Sequence, residues 1–323
     1  MKRIGNLYER VCEPDNIYLA YTKARKGKTK SYGVVQFEKE LERNLEDIHE
    51  KLKDGSYRTS EYQTFFIHDP KEREIYRLPF KDRVVQHAIM NVLEDVWTPI
   101  FISQSYSCIK GRGIHGALKT LRRDLKDEKG TAYCLKMDIR KFYQSVDHEV
   151  LKLIVRRRIK DERLLLLLDG IIDSAPGIPI GNYLSQFFAN LYLSYFDHWL
   201  KEDMKVRYYY RYADDMVILS SNKSNLHTLK DEIREYLKNV LKLELKDNWQ
   251  IFPVGKRGID FIGYVFYHDH VKMRKRIKKN FCRKAAILNK RETTEKEKHC
   301  ALSSWLGWAR HCDSRNLIKK ILK

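Results

Sequence analysis

The sequence predicts an α+β fold in which antiparallel strands are backed by helices. Long stretches carry apolar residues at helical spacing, as in "KDRVVQHAIMNVLEDVW". Pairs of short apolar runs are separated by turns, as expected for hairpins. The 323 residues are enough for a large core and fit two or three subdomains better than one.

The first part of the chain combines helices with one hairpin. Residues 31–55 alternate apolar and charged residues at helical spacing and stop at Gly55, which predicts one amphipathic helix. Strand-like runs at 62–68 and 75–80 flank a charged turn and predict a hairpin with a basic tip. Two more helices are predicted over "KDRVVQHAIMNVLEDVW" and "GRGIHGALKTLRRDLKD".

The second part of the chain adds strands and ends in a basic tail. A strand is predicted over residues 132–139, followed by a helix in "HEVLKLIVRRRIKDERLLLLLDGII". After the break "APGIPIGN", a long buried helix is predicted over "YLSQFFANLYLSYFDHWLKE". Runs at 208–213 and 216–219 predict a hairpin with the aspartates at its tip, and "DFIGYVFY" predicts one further strand. From residue 271 the chain is predicted to be helical and is densely basic.

The composition favours a nucleic-acid partner. Lys and Arg number 63 against 43 Asp and Glu, so the formal net charge is +20. Nucleic acid is the commonest partner of so basic a protein, with an anionic membrane second. No apolar run approaches the ~20 residues of a membrane span and no signal peptide opens the chain, so we expect no membrane association. The 6 cysteines show no metal-ligand spacing, which indicates a reducing cytoplasm.

Acidic residues interrupt two otherwise apolar strands. Asp214 and Asp215 stand inside "YYYRYADDMVILS", and Asp138 ends the strand in "YCLKMDIRKFYQSVDH". An exposed turn would explain the first pair, but a buried carboxylate needs a counter-charge, and two such strands suggest a shared cation. Carboxylates suit Mg²⁺, and two ions about 3.5–4 Å apart stabilise the attacking and leaving oxygens of phosphoryl transfer. Together with the basic charge, the acids indicate nucleotidyl transfer.

Six segments, in order along the chain, resemble the motifs of reverse transcriptases. "RYADD" resembles the metal-binding hairpin of these enzymes, "MDIRKFYQSVDH" their first catalytic motif and "GRGIHGAL" their finger-to-palm motif. "GIPIGNYLSQFFANLYL" is similar to the loop and helix that grip the template, "GIDFIGYVF" to the primer grip, and "REIYRLPFKDRVVQHAI" to the fingers hairpin and its following helix. The resemblance covers residues 30 to 267.

This resemblance implies a right-hand polymerase with fingers, palm and thumb. Residues 1–130 would form an N-terminal segment and the fingers. Residues 131–267 would form the palm, an antiparallel sheet backed by helices, with a fingers-like insertion around 150–175. Residues 268–323 would form a small, basic, helical thumb that contacts the phosphates of the product duplex.

Departures in the template-grip motif indicate a subfamily. Where group II intron and many other reverse transcriptases carry Gln-Gly and then Ser-Pro, this chain has Ile180-Gly181 and Ser185-Gln186. "IGNYLSQ" is similar to the signature of reverse transcriptases from diversity-generating retroelements. That resemblance implies adenine-mutagenic cDNA synthesis from a template-repeat RNA for mutagenic retrohoming, a multimeric accessory variability protein, and a cytoplasmic enzyme encoded by a bacterium or phage.

Two other functions stay open. The first is a retron, intron-derived or defence-associated reverse transcriptase, which shares the same chemistry. The second, from another class, is a catalytically silent RNA-binding scaffold, against which the three aspartates argue.

The resemblance also implies roles for individual residues. Asp138, Asp214 and Asp215 would be the catalytic residues and hold two Mg²⁺ ions, with Mn²⁺ as a substitute and the backbone of Ile139 as a further ligand. The residues expected to contact the incoming dNTP are Lys71, Arg73, Arg140, Lys141, Phe142, Tyr143, Ile180 and Gly181. Those expected at the template and primer are Arg112, Ser185, Gln186 and Gly263.

Some of these roles have structural alternatives. Tyr143, five residues after Asp138, would exclude a ribose 2′-hydroxyl, or is a core tyrosine. Basic residues at the fingers tip would clamp the triphosphate, or form a solvated turn. The lysine that relatives use in acid catalysis has no clear match, because Trp249 occupies its place and Lys246 is left as an alternative.

Overall fold

The computed structural model describes residues 2–68, 72–291 and 294–321 and confirms the α+β class. In the described ranges the strands form antiparallel sheets of two, four and three strands. The chain divides into two compact units that interleave along the sequence. The helical unit comprises residues 1–103, 139–203 and 235–244, and the sheet unit comprises 104–138, 204–234 and 245–323. The division into fingers, palm and thumb segments stays a prediction.

The described ranges contain 15 α-helices and 9 strands. The helices are α1 (Tyr8–Cys12), α2 (Pro14–Arg25), α3 (Tyr32–Glu38), α4 (Leu41–Lys53), α5 (Phe80–Trp97), α6 (Ile114–Asp124), α7 (Phe142–Ser145), α8 (His148–Arg156), α9 (Glu162–Ile172), α10 (Tyr183–His198), α11 (Lys223–Leu241), α12 (Val254–Arg257), α13 (Lys275–Asn289), α14 (Glu295–Ala309) and α15 (Arg315–Ile321). The strands are β1 (Gln63–Ile67), β2 (Arg73–Arg77), β3 (Tyr133–Asp138), β4 (Tyr208–Tyr212), β5 (Asp215–Ser220), β6 (Gln250–Pro253), β7 (Ile259–Phe261), β8 (Tyr264–Phe266) and β9 (Val271–Met273). Single turns of 3₁₀ and π-helix follow α5 and α10, at Thr98–Ile100 and Trp199–Asp203.

Helix α5 is central to the helical unit. Its residues Val85, Ala88, Ile89 and Leu93 recur at helical spacing and are inaccessible to solvent. Helices α1, α2, α3, α4 and α10 all contact it. No helix in the described part of the chain has the length and apolarity that crossing a membrane requires.

Two predicted helices are each divided in the structure. The helix predicted over residues 31–55 becomes α3 and α4, because the backbone leaves the helical region at Glu40, with φ −128° and ψ 49°. The helix predicted after residue 147 becomes α8 and α9, because Asp161 caps α9. Its carboxylate accepts from the backbone N–H of Leu164 and, at 2.7 and 2.9 Å, from those of Leu7 and Tyr8. Such breaks leave the apolar periodicity intact, so the sequence pattern does not reveal them.

The sheet unit is built on a four-stranded sheet with the order β4-β5-β3-β6. Tyr208 and Tyr210 are alternate residues of β4, so their side chains lie on the same face of the sheet. Their hydroxyls donate hydrogen bonds to Asp127 and Asp124, each at 2.6 Å. The predicted hairpin of β4 and β5 is present, but its turn is Ala213-Asp214 and Asp215 is already the first residue of β5. Ala213 has φ 54°, as a two-residue hairpin turn requires at its first position.

A second hairpin stands where one strand was predicted. "DFIGYVFY" contains the last two residues of β7 and all of β8, joined by Ile262-Gly263 with φ 45° and 90°. Residues before and after this turn are equally apolar, and the single glycine was the only turn signal. The tail is also not helical from residue 271, because β9 pairs with β8 before α13 begins.

The last three helices have their own apolar core. Phe281 and Leu288 of α13 pack with Leu302 and Leu306 of α14, together with residues of α15. The opposite face of α13 is basic, and Lys275, Arg276, Lys279 and Arg283 lie together along it.

We expect Gly263→Ala to lower the free energy of unfolding by about 2–4 kcal/mol, because φ is 90° and an added Cβ would lie 2.4 Å from Cζ3 of Trp308. Urea denaturation followed by circular dichroism measures the change. Gly307→Ala is the matched control: a Cβ there meets nothing within 4 Å, and helix propensity favours alanine by about 0.5–1 kcal/mol. Parental stability of the Gly263 variant would contradict this close approach.

Candidate active site

Three carboxylates meet at one end of the central strands of the sheet unit. The antiparallel register of β3 and β5 sets Asp138 directly opposite Asp215, so both side chains point to the same face. Asp214 lies next to them in the hairpin turn. Burial and the facing charge of Asp138 raise the pKa of Asp214 to about 7, and burial also raises the pKa of Asp215. The turn therefore does bring acids together, as the interrupted apolar strands predicted.

Two lysines supply positive charge to this cluster. Lys136 lies two residues before Asp138 on the same face of β3, and its Nζ is 3.2 Å from Oδ1 of Asp215. The ammonium group of Lys246 pairs with Oδ2 of Asp138, and the backbone N–H of Lys246 donates to the Asp138 carbonyl at 2.9 Å. Lys136 was assigned no role from the sequence. Its position two residues before Asp138, which places both side chains on one face of a strand, could have indicated the contact. Lys246, left as an alternative, is beside the cluster.

A buried arginine stabilises the turn of the β4–β5 hairpin. Arg211 on β4 is inaccessible to solvent, and its Nη1 donates to the Ala213 carbonyl at 3.1 Å. The bond stabilises the left-handed conformation of Ala213 in the turn that carries Asp214. Arg211 was assigned no role from the sequence, although it is the first residue of the "RYADD" segment.

The donor set fits a divalent cation. Oδ1 of Asp138 and Oδ1 of Asp215 are buried and accept no hydrogen bond. Nζ of Lys136 forms an ion pair with Oδ1 of Asp215 at 3.2 Å. Hard carboxylate oxygens without sulfur or imidazole suit Mg²⁺. Within the described ranges, however, no group of three or more acidic, histidine or cysteine side chains is arranged so that it could hold a metal ion, so the fit concerns the chemistry of the donor atoms and not a formed site. The two lysines already pair with Asp215 and Asp138. Oδ1 of Asp138 accepts no hydrogen bond and could still coordinate a cation.

Three segments predicted at the incoming nucleotide contact one another within the helical unit. The carbonyl oxygen of Tyr143 on α7 accepts a hydrogen bond from the N–H of Ile178 at 2.7 Å. The carbonyl oxygen of Ile180 accepts from the N–H of Tyr76 on β2 at 2.8 Å. The loop of residues 177–181, hereafter the grip loop, therefore joins α7 to the β1–β2 hairpin.

Residues around the grip loop are fixed by close packing. An added Cβ at Gly181 would lie 2.5 Å from the Tyr76 carbonyl oxygen. Ser185, predicted at the template, is buried, and its hydroxyl donates to the Pro179 carbonyl at 2.7 Å. Its side chain thus holds the grip loop. Gln186 beside it is exposed.

Several residues that follow β3 can present only their backbone atoms to a ligand. The side chains of Ile139 and Phe142 are buried, so these residues can offer only backbone atoms to a ligand. Arg140 and Lys141 are exposed, and the backbone N–H of Arg140 donates to the Glu244 carbonyl at 2.8 Å. Lys141 has φ 43° and is the N-cap residue of α7.

The remaining predicted residues lie in separate places. Arg73 is exposed at the start of β2, and Lys71 lies outside the described residues. Arg112 belongs to the sheet unit, where it donates to the Ser105 carbonyl at 3.0 Å and burial lowers its pKa. Gly263 is buried in the β7–β8 turn against the side chain of Trp308.

Known proteins resemble this chain in sequence and fold. Protein YkfC of Escherichia coli is 27% identical in a match that covers 68% of this chain and 70% of that protein. The group II intron-encoded protein LtrA of Lactococcus lactis is 23% identical in a match that covers 80% of this chain and 56% of LtrA. Apo telomerase from Candida Tropicalis shares the fold alone, with a TM-score of 0.50 at 14% identity over 67% of this chain and 49% of the telomerase.

The family model "Reverse transcriptase (RNA-dependent DNA polymerase)" matches residues 67–266. This range contains β3, the hairpin of β4 and β5, and the grip loop. Because the match covers more than half of the chain, the chain belongs to the reverse transcriptases, the RNA-dependent DNA polymerases.

Proposed function

We propose that this chain extends DNA on an RNA template by two-metal-ion nucleotidyl transfer. The observation that carries the proposal is the convergence of Asp138, Asp214 and Asp215 in a member of the reverse transcriptase family. These carboxylates, with the backbone of Ile139, would hold two Mg²⁺ ions, or Mn²⁺ in their place. When bound, the ions would stabilise the attacking and leaving oxygens of the phosphoryl transfer.

Lys246 is our candidate for the proton donor at the site. Its ammonium group is anchored beside Asp138 through both its side chain and its backbone. Lys136 is less suited to move, because it bonds both Asp215 and the Asp260 carbonyl. The indole of Trp249 has a packing role instead, with Nζ of Lys230 at 4.5 Å from the ring centroid.

The incoming dNTP would be bound by α7, the grip loop and the β1–β2 hairpin. The ring of Tyr143 would exclude the 2′-hydroxyl, and the side chain of Ile180 would lie near the sugar. The triphosphate would meet Lys71, Arg73, the backbone of Arg140, Lys141 and Phe142, and Gly181. The template and primer would meet Arg112 and Gln186, whereas the buried Ser185 and Gly263 would act by shaping the grip loop and the β7–β8 turn.

We further infer that the chain is the error-prone polymerase of a diversity-generating retroelement. Its support is the "IGNYLSQ" segment and the apolar Ile180, which cannot donate or accept a hydrogen bond. The partners would be a template-repeat RNA, the cDNA/RNA duplex and a multimeric accessory variability protein, in the cytoplasm of a bacterium or a phage-infected cell. The net charge of +20 suits the two nucleic-acid partners, which are polyanions.

An intron-derived reverse transcriptase is the second candidate. The similarity to the group II intron-encoded protein LtrA favours it, although the matched region covers 56% of LtrA. Sequencing cDNA made from a defined RNA separates the two: errors concentrated opposite template adenines support the retroelement polymerase, and errors spread over all bases support the intron-derived enzyme.

We expect Asp214→Asn to lower primer extension in Mg²⁺ at least about 100-fold, since it removes a charge that would stabilise the metal ions. The variant should melt at or above the parental temperature, because the repulsion between Asp214 and Asp138 disappears. Asp231→Asn, which removes an exposed carboxylate on α11, is the control and should extend normally. Near-parental extension by the Asp214 variant would refute the metal assignment.

We expect Tyr143→Val to admit ribonucleotides, because it removes the ring that would occupy the space of the 2′-hydroxyl. The ratio of dNTP to rNTP incorporation, measured as kcat/KM in single-nucleotide extension, should fall about 10-fold or more. Tyr143→Phe keeps the ring and should keep the ratio. An unchanged ratio in the valine variant would mean that another residue is the gate.

We expect Ile180→Gln to lower misincorporation opposite template adenine roughly two- to tenfold, the value of one added orienting hydrogen bond. Extension opposite the other bases should persist, and Ile180→Leu should keep the parental error rate. Deep sequencing of the cDNA gives both rates. An unchanged adenine error rate in the active glutamine variant would leave Ile180 as a packing residue and direct attention to Gln186.

A further inference from the structure

The imidazole of His148 bridges the grip loop and the end of α9. Its Nε2 is 2.8 Å from the carbonyl oxygen of Gly177, and its Nδ1 is 3.1 Å from Oδ1 of Asp173. Both partners are acceptors, so both contacts are hydrogen bonds when each ring nitrogen carries a proton. Its side chain is 23% exposed, so the bridge is partly shielded from water.

The carboxylate of Asp173 is held in its charged form. Burial raises the pKa of Asp173, but hydrogen bonds and charge from Lys152 and His148 outweigh burial and bring the pKa below its ordinary value. Nζ of Lys152 lies 2.8 Å from Asp173 and 3.1 Å from Glu149. The charged groups facing His148 therefore include a fixed anion that orients the ring.

The bond from His148 fixes one peptide group of the grip loop. The carbonyl of that peptide belongs to Gly177 and accepts from His148, and its N–H belongs to Ile178 and donates to the Tyr143 carbonyl at 2.7 Å. Gly177 has φ 61°, and an added Cβ would lie 2.4 Å from the same Tyr143 oxygen. A rotation of this peptide would break both hydrogen bonds, and no bulkier residue fits at position 177.

We propose that His148 is a positioning residue for the incoming nucleotide. By holding the Gly177–Ile178 peptide, it sets the spacing between Tyr143 and Ile180, the residues to which we assign contacts with the dNTP sugar. The inference rests on that proposed function. His148 contacts the grip loop through the Gly177 carbonyl and would not touch the dNTP itself. It would therefore affect the KM for dNTP more than kcat.

Two substitutions separate the two contacts of the ring. In His148→Gln the amide nitrogen can take the place of Nε2 and still donate to Gly177. In His148→Asn the amide lies at the place of Nδ1, so the contact with Asp173 survives and the bond to Gly177 is lost. We expect the asparagine variant to raise the KM for dNTP roughly two- to tenfold with kcat within twofold, and the glutamine variant to stay within twofold of the parent.

A second histidine of the helical unit provides the matched control. His198 has the same arrangement, with Nδ1 at 2.6 Å from Glu202 and Nε2 at 2.8 Å from the Ile100 carbonyl, but it does not contact the grip loop. His198→Asn should therefore leave the KM for dNTP unchanged. Equal increases in all three variants would indicate general destabilisation and overturn the proposal, as would a parental KM in His148→Asn.

Two further outcomes are a His148 variant that does not fold and a parent protein that lacks the proposed activity. If His148→Asn lacks the parental circular dichroism spectrum, His148→Leu carries the test, because leucine fills much of the same space but cannot donate to Gly177; a raised KM supports the proposal and a parental KM overturns it. Absence of RNA-templated extension by the parent would overturn the proposed function and this inference together. Normal extension with unaffected His148 variants would overturn the inference alone.

Discussion

Electrostatic balance around the Asp138, Asp214 and Asp215 cluster governs the sheet unit. Three partly buried carboxylates at the end of an apolar sheet repel one another, and burial makes each charge more costly. Lys136 and Lys246 offset this cost by direct ion pairs. A metal ion would compete with Lys136 at Asp215, whereas Oδ1 of Asp138 accepts no hydrogen bond and is open to it.

The sequence was sufficient to predict the main features of the fold, since strong local patterns encode them. Helix α5 was predicted from its apolar periodicity, and the hairpin of β4 and β5 from two apolar runs around a turn. The breaks at Glu40 and Asp161 and the turn at Ile262 could not be predicted in the same way. Each depends on a backbone conformation or a long-range cap that leaves the apolar pattern unchanged.

The candidate site was predicted in part for similar reasons. Asp138, Asp214 and Asp215 were conspicuous because acids rarely interrupt apolar strands. Lys136 and Arg211 were not, because one cation on a strand is usually a solvated residue, and only the register of β3, β4 and β5 shows where each side chain bonds. His148 was within a recognised motif, yet its role depends on a loop residue far along the chain.

The interleaving of the two units has a consequence for how the chain folds during synthesis. Strand β3 pairs with β5 and β6, which follow it only after the whole α7–α10 segment has been made, and the helical unit also draws on residues 235–244. Neither unit can therefore be completed as a nascent N-terminal piece on the ribosome. Such non-local pairing slows folding and leaves apolar strand edges exposed for longer while the chain emerges.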